Sequence, residues 1–473
     1  MKRYIVLFLA AVFFVMAFVP FASAYENPVL ENTDNKDLGD PFILKYNGTY
    51  YMYPSNYDGY GWKSTDLVNW TRFGKPFKGP HTLNLFAPEV FYSNGYFYCI
   101  SCSEGTTNYT LRSESPEGPF VAVSGDLGME IDASFFRDDD GQLYLSTAGW
   151  KKINLYTLSD TLTSTTPIDD IDVSVDSRWT EGPTIFKRNG IYYLTYTGNH
   201  VLDYTYRVEW AYSTDSVRKG WTEPSNNLLL FNTTGELRGL GHNSIVIGPD
   251  LDTYYIVYHN NYVENSVRRA ANIDRILWNG MKPVVTPSYY EVKGPALPDF
   301  EERYTSSENW KISGTLDLSE NCTATLFGKM LTKESTEDVY TAEFNLIPQG
   351  ATIYFSYSND SNCGRIAFAD NKMSVDIFSG GKVVAGNTIT LPDDTDLSVL
   401  QNIRVQQTAT HCNVFFDGAQ KWEGEAIGGG KIGYEADSGT VGYTAFSNLA
   451  LGNKDTEAKK YLPATLEDRK SVV

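Results

Sequence analysis

GDPFILKYNGTYYMYPS, residues 39–55, holds an aspartate, a short apolar run, an Asn-Gly pair and a second run rich in aromatic residues. A short apolar run bounded by turn residues is typical of a strand covered on both faces, and Asn-Gly is a strong signal for a tight hairpin turn. The stretch therefore predicts a buried β-hairpin. Asp40 lies where the chain enters the core.

The second half of this stretch recurs along the first part of the chain. The five copies are NGTYYMYPS at Asn47, NGYFYCISCS at Asn94, DGQLYLSTAG at Asp140, NGIYYLTYTG at Asn189 and LDTYYIVYHN at Leu251. A repeat of about 40–50 residues, built from hairpins and aromatic strands, is typical of a propeller blade. We therefore predict an all-β fold in which a five-bladed β-propeller occupies residues 25–292.

Ionisable residues stand near the start of the predicted first strands. Asp40, Asp132, Glu181 and His242 lie seven to nine residues before the turns of their repeats, and the remaining blade carries Glu89. First strands of propeller blades line the central channel, so their starts converge around one axis. The three acids Asp40, Asp132 and Glu181 are therefore expected to share one pocket.

Three carboxyl groups in one pocket suit the cleavage of a glycosidic bond. This reaction needs a neutral carboxylic acid to protonate the leaving oxygen and an ionised carboxylate to activate water or attack the sugar. A third carboxylate near the acid raises the pKa of that acid by like-charge repulsion and can orient it. The sequence thus indicates a glycoside hydrolase.

Seven segments in order make the first half of the chain resemble glycoside hydrolase family 43. They are GDPFILKYNGTYYMY, STDLVNW, FAPEVFY, IDASFFRDDDGQLYL, EGPTIFKRNGIYYLTYT, GHNSIV and RRAANIDRILWNGMKP. The family consists of five-bladed propellers that invert configuration. The resemblance implies that Asp40 is the general base, Asp132 the residue that orients the acid and tunes its pKa, and Glu181 the general acid.

The resemblance also implies the surroundings of these acids. Arg269 is expected to reach the floor of the site and the substrate, and Glu89 to contact the substrate. Phe86 stands where the family commonly has tryptophan, so the sugar-facing wall is expected to differ. His242 resembles an axial histidine linked to a calcium ion, although calcium prefers oxygen ligands. The alternative for His242 is a hydrogen-bonded core imidazole.

Two other functions compete with an inverting hydrolase of arabinose- or xylose-containing plant cell-wall glycans. Each acid taken alone could be a turn or cap residue, and a propeller could bind sugar without catalysis. The retaining fructan and sucrose hydrolases also have five blades, but their middle site is typically Arg-Asp-Pro, whereas this chain has Ile131-Asp132-Ala133. The combination of three acids favours the inverting hydrolase.

The N-terminus and the overall charge indicate where the protein acts. Residues 1–24 have the basic, apolar and small-residue parts of a secretion signal, so we expect an extracellular protein that is not held in a membrane. The formal net charge of −19 disfavours nucleic acid as a partner and leaves an oligo- or polysaccharide. Five cysteines are few and odd in number, so no disulfide scaffold is expected.

The sequence changes character after the propeller. Residues 293–300 have the proline content of a linker. Residues 301–455 alternate apolar and polar positions between Gly, Asn and Asp turns, which predicts a β-sandwich similar to concanavalin-type jelly rolls. This domain is expected either to bind sugar or to pack on the propeller and wall its cleft. Residues 456–473 form a charged tail.

Overall fold

A computed structural model describes residues 22–30, 37–55, 59–82, 84–105, 107–159, 161–173, 179–261 and 268–448. The tail 456–473 and most of the predicted signal lie outside these ranges. The described residues form strands, turns and irregular segments, and the all-β prediction is confirmed. No helix among them is long and apolar enough to cross a membrane.

Five antiparallel sheets form a closed ring, as expected for a five-bladed propeller. The first strands of neighbouring blades contact one another around the ring. The strands of the five blades are β1 Gly39–Tyr46, β2 Thr49–Ser55, β3 Gly61–Ser64 and β4 Thr71–Phe73; β5 Leu85–Ser93, β6 Tyr96–Ser103, β7 Thr107–Ser113 and β8 Val121–Ala122; β9 Ser134–Arg137, β10 Leu143–Thr147, β12 Lys152–Leu158, β13 Thr165–Pro167 and β14 Ile171–Asp172; β11 Gly149–Trp150, β15 Trp179–Arg188, β16 Ile191–Gly198, β17 Arg207–Ser213 and β18 Leu228–Leu230; and β19 Gly241–Ile247, β20 Tyr254–Asn261 and β21 Arg269–Arg275.

In the part of the chain that the structure describes, the fifth blade has three strands of its own, and an N-terminal segment runs beside the last of them. Leu30 pairs with Ala271 of β21, and the Asn27 side chain donates to the carbonyl of Ile273 at 2.9 Å. Further along, the Ala22 N–H donates to the Pro295 carbonyl at 2.8 Å. The segment thus joins the start of the propeller to its end, and cleavage after residue 24 would remove the last of these contacts.

The C-terminal part forms one nearly closed sandwich-like sheet. A short hairpin, β22 Leu277–Asn279 and β23 Lys282–Val284, precedes it. The sandwich strands are β24 Phe300–Glu302, β25 Trp310–Ser319, β26 Thr323–Thr332, β27 Tyr340–Leu346, β28 Ala351–Asn359, β29 Asn362–Ala369, β30 Lys372–Ser379, β31 Lys382–Thr390, β32 Gln401–Gln407, β33 His411–Phe416, β34 Ala419–Glu425 and β35 Lys431–Ser447. Ile403 and Val405 are fully buried while Arg404 between them is not, as the predicted alternation requires.

The sandwich docks on the hairpin turns of the propeller. Asn47 accepts from the Tyr443 N–H at 2.7 Å and donates to the Asn321 carbonyl at 3.1 Å. Asn94, the turn residue of the next blade, donates to the Asp394 carbonyl at 2.7 Å. These turns lie at the far ends of strands whose starts carry the predicted acids. The sandwich therefore packs on the propeller at the end opposite the predicted acids and does not wall the cleft, while sugar binding by this domain stays a prediction.

Candidate active site

Each blade turns sharply at the start of its first strand. The residues at this turn have positive φ angles of 50° at Asp40, 43° at Ala87, 62° at Asp132, 53° at Gly182 and 43° at His242. In four blades the strand pairing also shifts at this point. Residues other than glycine rarely adopt this backbone conformation, and such backbone strain concentrates at functional sites. The repeat thus aims five turns at one axis.

Asp40 is a buried carboxylate held by cations and donors from the fifth blade. Its Oδ1 accepts from Arg269 Nη1 at 2.7 Å and lies 3.2 Å from His242 Nδ1. Burial by itself would raise the pKa of Asp40, but the charge of Arg269 and the nearby histidines hold it well below the usual range. Asp40 is therefore ionised at neutral pH.

Arg269 takes this position because a residue that the sequence interpretation missed anchors it. Asp37 accepts from Arg269 Nε at 3.0 Å and from Nη2 at 2.5 Å. A Cβ on Gly39 would lie 1.8 Å from the guanidinium carbon, so only glycine leaves room for it. Arg269 therefore contacts the predicted base directly, and its role toward substrate stays a prediction. The neighbouring Arg268 is only half-buried, whereas Arg269 is buried.

Asp132 and Glu181 occupy the adjoining part of the site. The Gly182 N–H donates to Asp132 Oδ2 at 3.2 Å. Burial and the charge of Asp40 raise the pKa of Asp132 to about 7. Burial and the charge of Asp132 raise the pKa of Glu181 to about 7. Glu181 thus keeps its proton to a much higher pH than Asp40 does, as a general acid must.

Two aromatic residues that the sequence interpretation also missed hold the Glu181 side chain. Trp179 donates its indole N–H to Oε2, and the Tyr206 hydroxyl donates to Oε1. Trp179 could have been found from the sequence, because residues two apart on a strand face the same side. Tyr206 lies on the approach to β17 and follows no repeat signal. The carboxyl group is therefore fixed in orientation at both oxygens.

Histidines complete the floor of the site. His242 Nδ1 also lies 3.6 Å from Asp132 Oδ2, so its ring stands between the two aspartates. His259, again not predicted, accepts from the Asp40 backbone N–H at 3.1 Å and is fully buried. Burial lowers the pKa of His259 to about 4, so this ring is neutral. It packs parallel to Tyr206, with ring centroids 5.5 Å apart.

In the second blade, the predicted substrate-binding residues Glu89 and Phe86 make hydrogen bonds within the protein. Glu89 is buried, and its Oε2 accepts from the Phe135 N–H of the third blade at 3.1 Å. This contact fastens two blades together, and burial raises the pKa of Glu89 to about 8. Phe86 is half-buried, with its carbonyl bonded to the Ser101 hydroxyl. Substrate contact by Phe86 or Glu89 stays a prediction.

Calcium fits this group of residues poorly. Asp132, Glu181 and His242 each offer one donor atom, and these atoms lie within 4.8 Å of one another. Calcium takes about six to eight oxygen ligands, whereas this cluster supplies two carboxylates and one imidazole. Both carboxyl groups already accept hydrogen bonds from the protein. The calcium ion stays a prediction, and we assign it no step.

Two buried carboxyl groups with different surroundings at the mouth of a propeller suit the acid–base chemistry of a glycosidase. The chain belongs to the glycosyl hydrolases family 43, whose family model matches residues 25–282. Family membership confirms the resemblance drawn from the seven segments and makes a carbohydrate the substrate. It also speaks against the fructan-hydrolase alternative.

Curated relatives are glycosidases of several kinds. The beta-D-galactofuranosidase xynD of Aspergillus niger is 31% identical over 280 residues, which cover 51% of this chain and 79% of the relative. The xylosidase/arabinosidase 43B of Humicola insolens is 25% identical, and the match covers 49% of this chain and 48% of the relative. The extracellular exo-alpha-(1->5)-L-arabinofuranosidase ArbA of Cellvibrio japonicus is 24% identical, with coverage of 52% and 84%.

A solved structure supports the propeller assignment. The chain is 27% identical to a thermostable family-43 glycoside hydrolase, with a TM-score of 0.51. The match covers 57% of this chain and 99% of that protein.

Proposed function

We propose that this chain is an exported, inverting glycosidase that releases arabinose or xylose units from plant cell-wall glycans. The observation that carries the proposal is the contrast between two buried carboxyl groups in one site: Asp40 contacts the Arg269 guanidinium, whereas Glu181 is held by the neutral donors Trp179 and Tyr206. Arg269 keeps Asp40 ionised, whereas burial and the charge of Asp132 keep Glu181 protonated up to about pH 7. One group can accept a proton while the other donates one.

In the proposed reaction, Asp40 accepts a proton from a water molecule as that water attacks the anomeric carbon. Glu181 donates its proton to the glycosidic oxygen, and the bond between that oxygen and the anomeric carbon breaks. Asp132 orients the site and supports the raised pKa of Glu181. Attack from the face opposite the leaving group inverts the anomeric centre, which requires the two working carboxyl groups to lie about 6.5–9.5 Å apart.

The relatives support the sugar class and the export of the protein. Two of the three relatives described above are named for activity on xylosides or arabinosides, and one of these is extracellular. A galactofuranosidase is also among them, so a five-membered sugar ring is a feature that several relatives' substrates have in common. We therefore include galactofuranosides as a second candidate substrate.

A panel of aryl glycosides tests this function. It carries α-L-arabinofuranosyl, β-D-xylosyl, β-D-galactofuranosyl and β-D-galactopyranosyl groups, and proton NMR follows the first product formed. We expect hydrolysis of a pentosyl or furanosyl member with initial release of the inverted anomer. Initial release of the retained anomer would contradict inversion, and a panel without any hydrolysis would favour a binding role.

A further inference from the structure

Trp150 is an exposed aromatic side chain beside the proposed acid. It forms the end of β11, a two-residue strand that leaves the third blade and pairs with β15 of the fourth. Its indole is 66% exposed, the highest value among the large apolar side chains that the structure describes as exposed. The ring therefore presents apolar surface to solvent next to Trp179, the residue that holds Glu181.

A chain of contacts connects this ring to Glu181. Trp150 is paired directly with Trp179 across the two strands, and their rings meet edge to face with centroids 5.9 Å apart. Trp179 in turn donates its indole N–H to Glu181 Oε2. Because Trp179 and Glu181 are two residues apart on β15, both side chains lie on the same face of the sheet.

The backbone beneath Trp150 is fixed from both sides. The Thr180 hydroxyl contacts the carbonyl oxygens of Gly149 at 2.7 Å and of Lys152 at 2.8 Å. The Ala148 N–H donates to the Ile131 carbonyl, next to Asp132, at 3.0 Å. The backbone of Trp150 is therefore held in register with Asp132 and Glu181. An aromatic side chain with only two rotatable bonds binds a ligand with little loss of conformational entropy.

The chemistry of the acid decides which part of a substrate meets this platform. A general acid delivers its proton to the oxygen of the leaving group, so the sugar nearest to that side is the one that departs. Sugar rings present C–H faces that pack on indole rings. We propose that Trp150 stacks against the first sugar of the leaving group and so favours oligosaccharides over simple glycosides. This inference rests on the proposed function, with Glu181 as the acid.

Substrates with and without a leaving sugar test the proposal. For Trp150→Ala we expect kcat/KM on an oligosaccharide of the sugar identified by the panel to fall about 10-fold, mainly through KM. The same variant should hydrolyse the corresponding glycosyl fluoride, which has no leaving sugar, as fast as the wild type does. Trp150→Phe should recover part of the loss. Tyr290→Ala, which removes another exposed ring, 54% exposed, is the control and should change neither rate.

The outcomes separate this inference from the function beneath it. An unchanged rate of Trp150→Ala on the oligosaccharide, or an equal fall on the fluoride, would overturn the stacking role while the enzyme remained a glycosidase. An equal loss in Tyr290→Ala would overturn it as well. A wild-type enzyme inactive on both substrates would overturn the proposed function, and this inference with it.

Discussion

The two ends of the propeller strands are built from the same repeat but do different work. At their starts, Asp40, Asp132 and His242 have left-handed backbone and surround a cluster of buried charges. At their far ends, Asn47 and Asn94 form tight turns that bind the sandwich through neutral hydrogen bonds. Seven residues of strand, about 20 Å, separate Asp40 from Asn47. The repeat thus sets where the two ends of each strand lie. The residue types at the starts suit catalysis, and those at the far ends bind the sandwich.

The energetics of the two ends also differ. Buried carboxyl groups with raised pKa values lower the stability of the fold whenever they ionise. The acids at the starts of the strands therefore reduce the free energy of unfolding as pH rises. The turn asparagines instead hydrogen-bond to backbone groups of the sandwich, and Asn47 satisfies the buried N–H of Tyr443, which favours the folded state. Substitutions at the starts should therefore change catalysis, and substitutions at the turns should change stability.

The largest expected effect is the loss of either working carboxyl group. Asp40→Asn and Glu181→Gln should each lower kcat on an unactivated oligosaccharide by about 10³- to 10⁴-fold, because each removes one proton transfer. Thermal unfolding should show an unchanged or raised Tm for Glu181→Gln, because a buried group that costs stability when it ionises is gone. Asp40→Asn should remain folded with a lower Tm, because the buried Arg269 loses one of its two carboxylate partners. The matched control is Glu425→Gln, which removes an exposed carboxylate of the sandwich and should leave kcat unchanged. Wild-type turnover by either site variant would refute the assignment.

A smaller loss is expected when the anchor of Arg269 is weakened. Asp37→Asn removes the charge that holds Nε and Nη2, so Arg269 should pair more strongly with Asp40 and reduce its basicity. We expect kcat to fall about 10- to 100-fold with KM nearly unchanged.

The pH profile distinguishes this positioning role from simple structural damage. In the wild type, kcat/KM should fall as pH rises through about 7, where Glu181 loses its proton. This alkaline limb should stay in place in Asp37→Asn, because Glu181 is untouched. A shifted limb, or a loss matched by a fall in the fraction of folded protein, would contradict the role.

The turn end should respond in stability alone. Lys45 forms a 2.6 Å ion pair with Glu343 of the sandwich, and both side chains are largely shielded from water. Lys45→Met leaves Glu343 without this partner and should lower stability by about 1–2 kcal/mol, read as a lower Tm. The double variant Lys45→Met/Glu343→Gln should recover part of it. Activity below the transition should equal that of the wild type, and a matching loss of kcat would contradict the separation of the two ends.

The smallest effect is a pH-dependent one at Glu89. Burial raises the pKa of Glu89 from its ordinary value of 4.5 to about 8, so the contribution of this group to stability is full below 4.5 and lost as pH rises through about 8. Glu89→Gln cannot ionise, and it can still accept from the Phe135 N–H. We expect Tm of the wild type to fall by a few degrees more than Tm of Glu89→Gln between pH 6 and 9. Parallel curves would contradict the buried carboxyl.

The sequence alone predicts the parts of this molecule that repeat. The five hairpin turns reveal the blades, and positions counted back from them identify Asp40, Asp132 and Glu181. Asp37 lies before the first repeat and acts only through Arg269, far away in the chain, so no spacing reveals it. The N-terminal segment that completes the fifth blade has no repeat signal either.

The docking end shows the same limit. Asn47 is a turn residue in the sequence whether or not a second domain covers it. The hydrogen bonds of its side-chain amide with Asn321 and Tyr443 depend on the three-dimensional arrangement of two domains, which local sequence patterns do not encode. The sequence therefore predicts the sandwich but leaves open where it lies on the propeller.

The assignment of acid and base is tested most directly by the dependence of the two site variants on the leaving group. In a 2,4-dinitrophenyl glycoside of the sugar identified by the panel, the dinitrophenolate leaves without being protonated. The leaving sugar of an oligosaccharide needs a proton from the general acid. We expect Glu181→Gln to regain most of the wild-type kcat on the dinitrophenyl substrate and Asp40→Asn to remain inactive on both. Recovery by Asp40→Asn instead, or equal inactivity of both variants on the activated substrate, would contradict these roles.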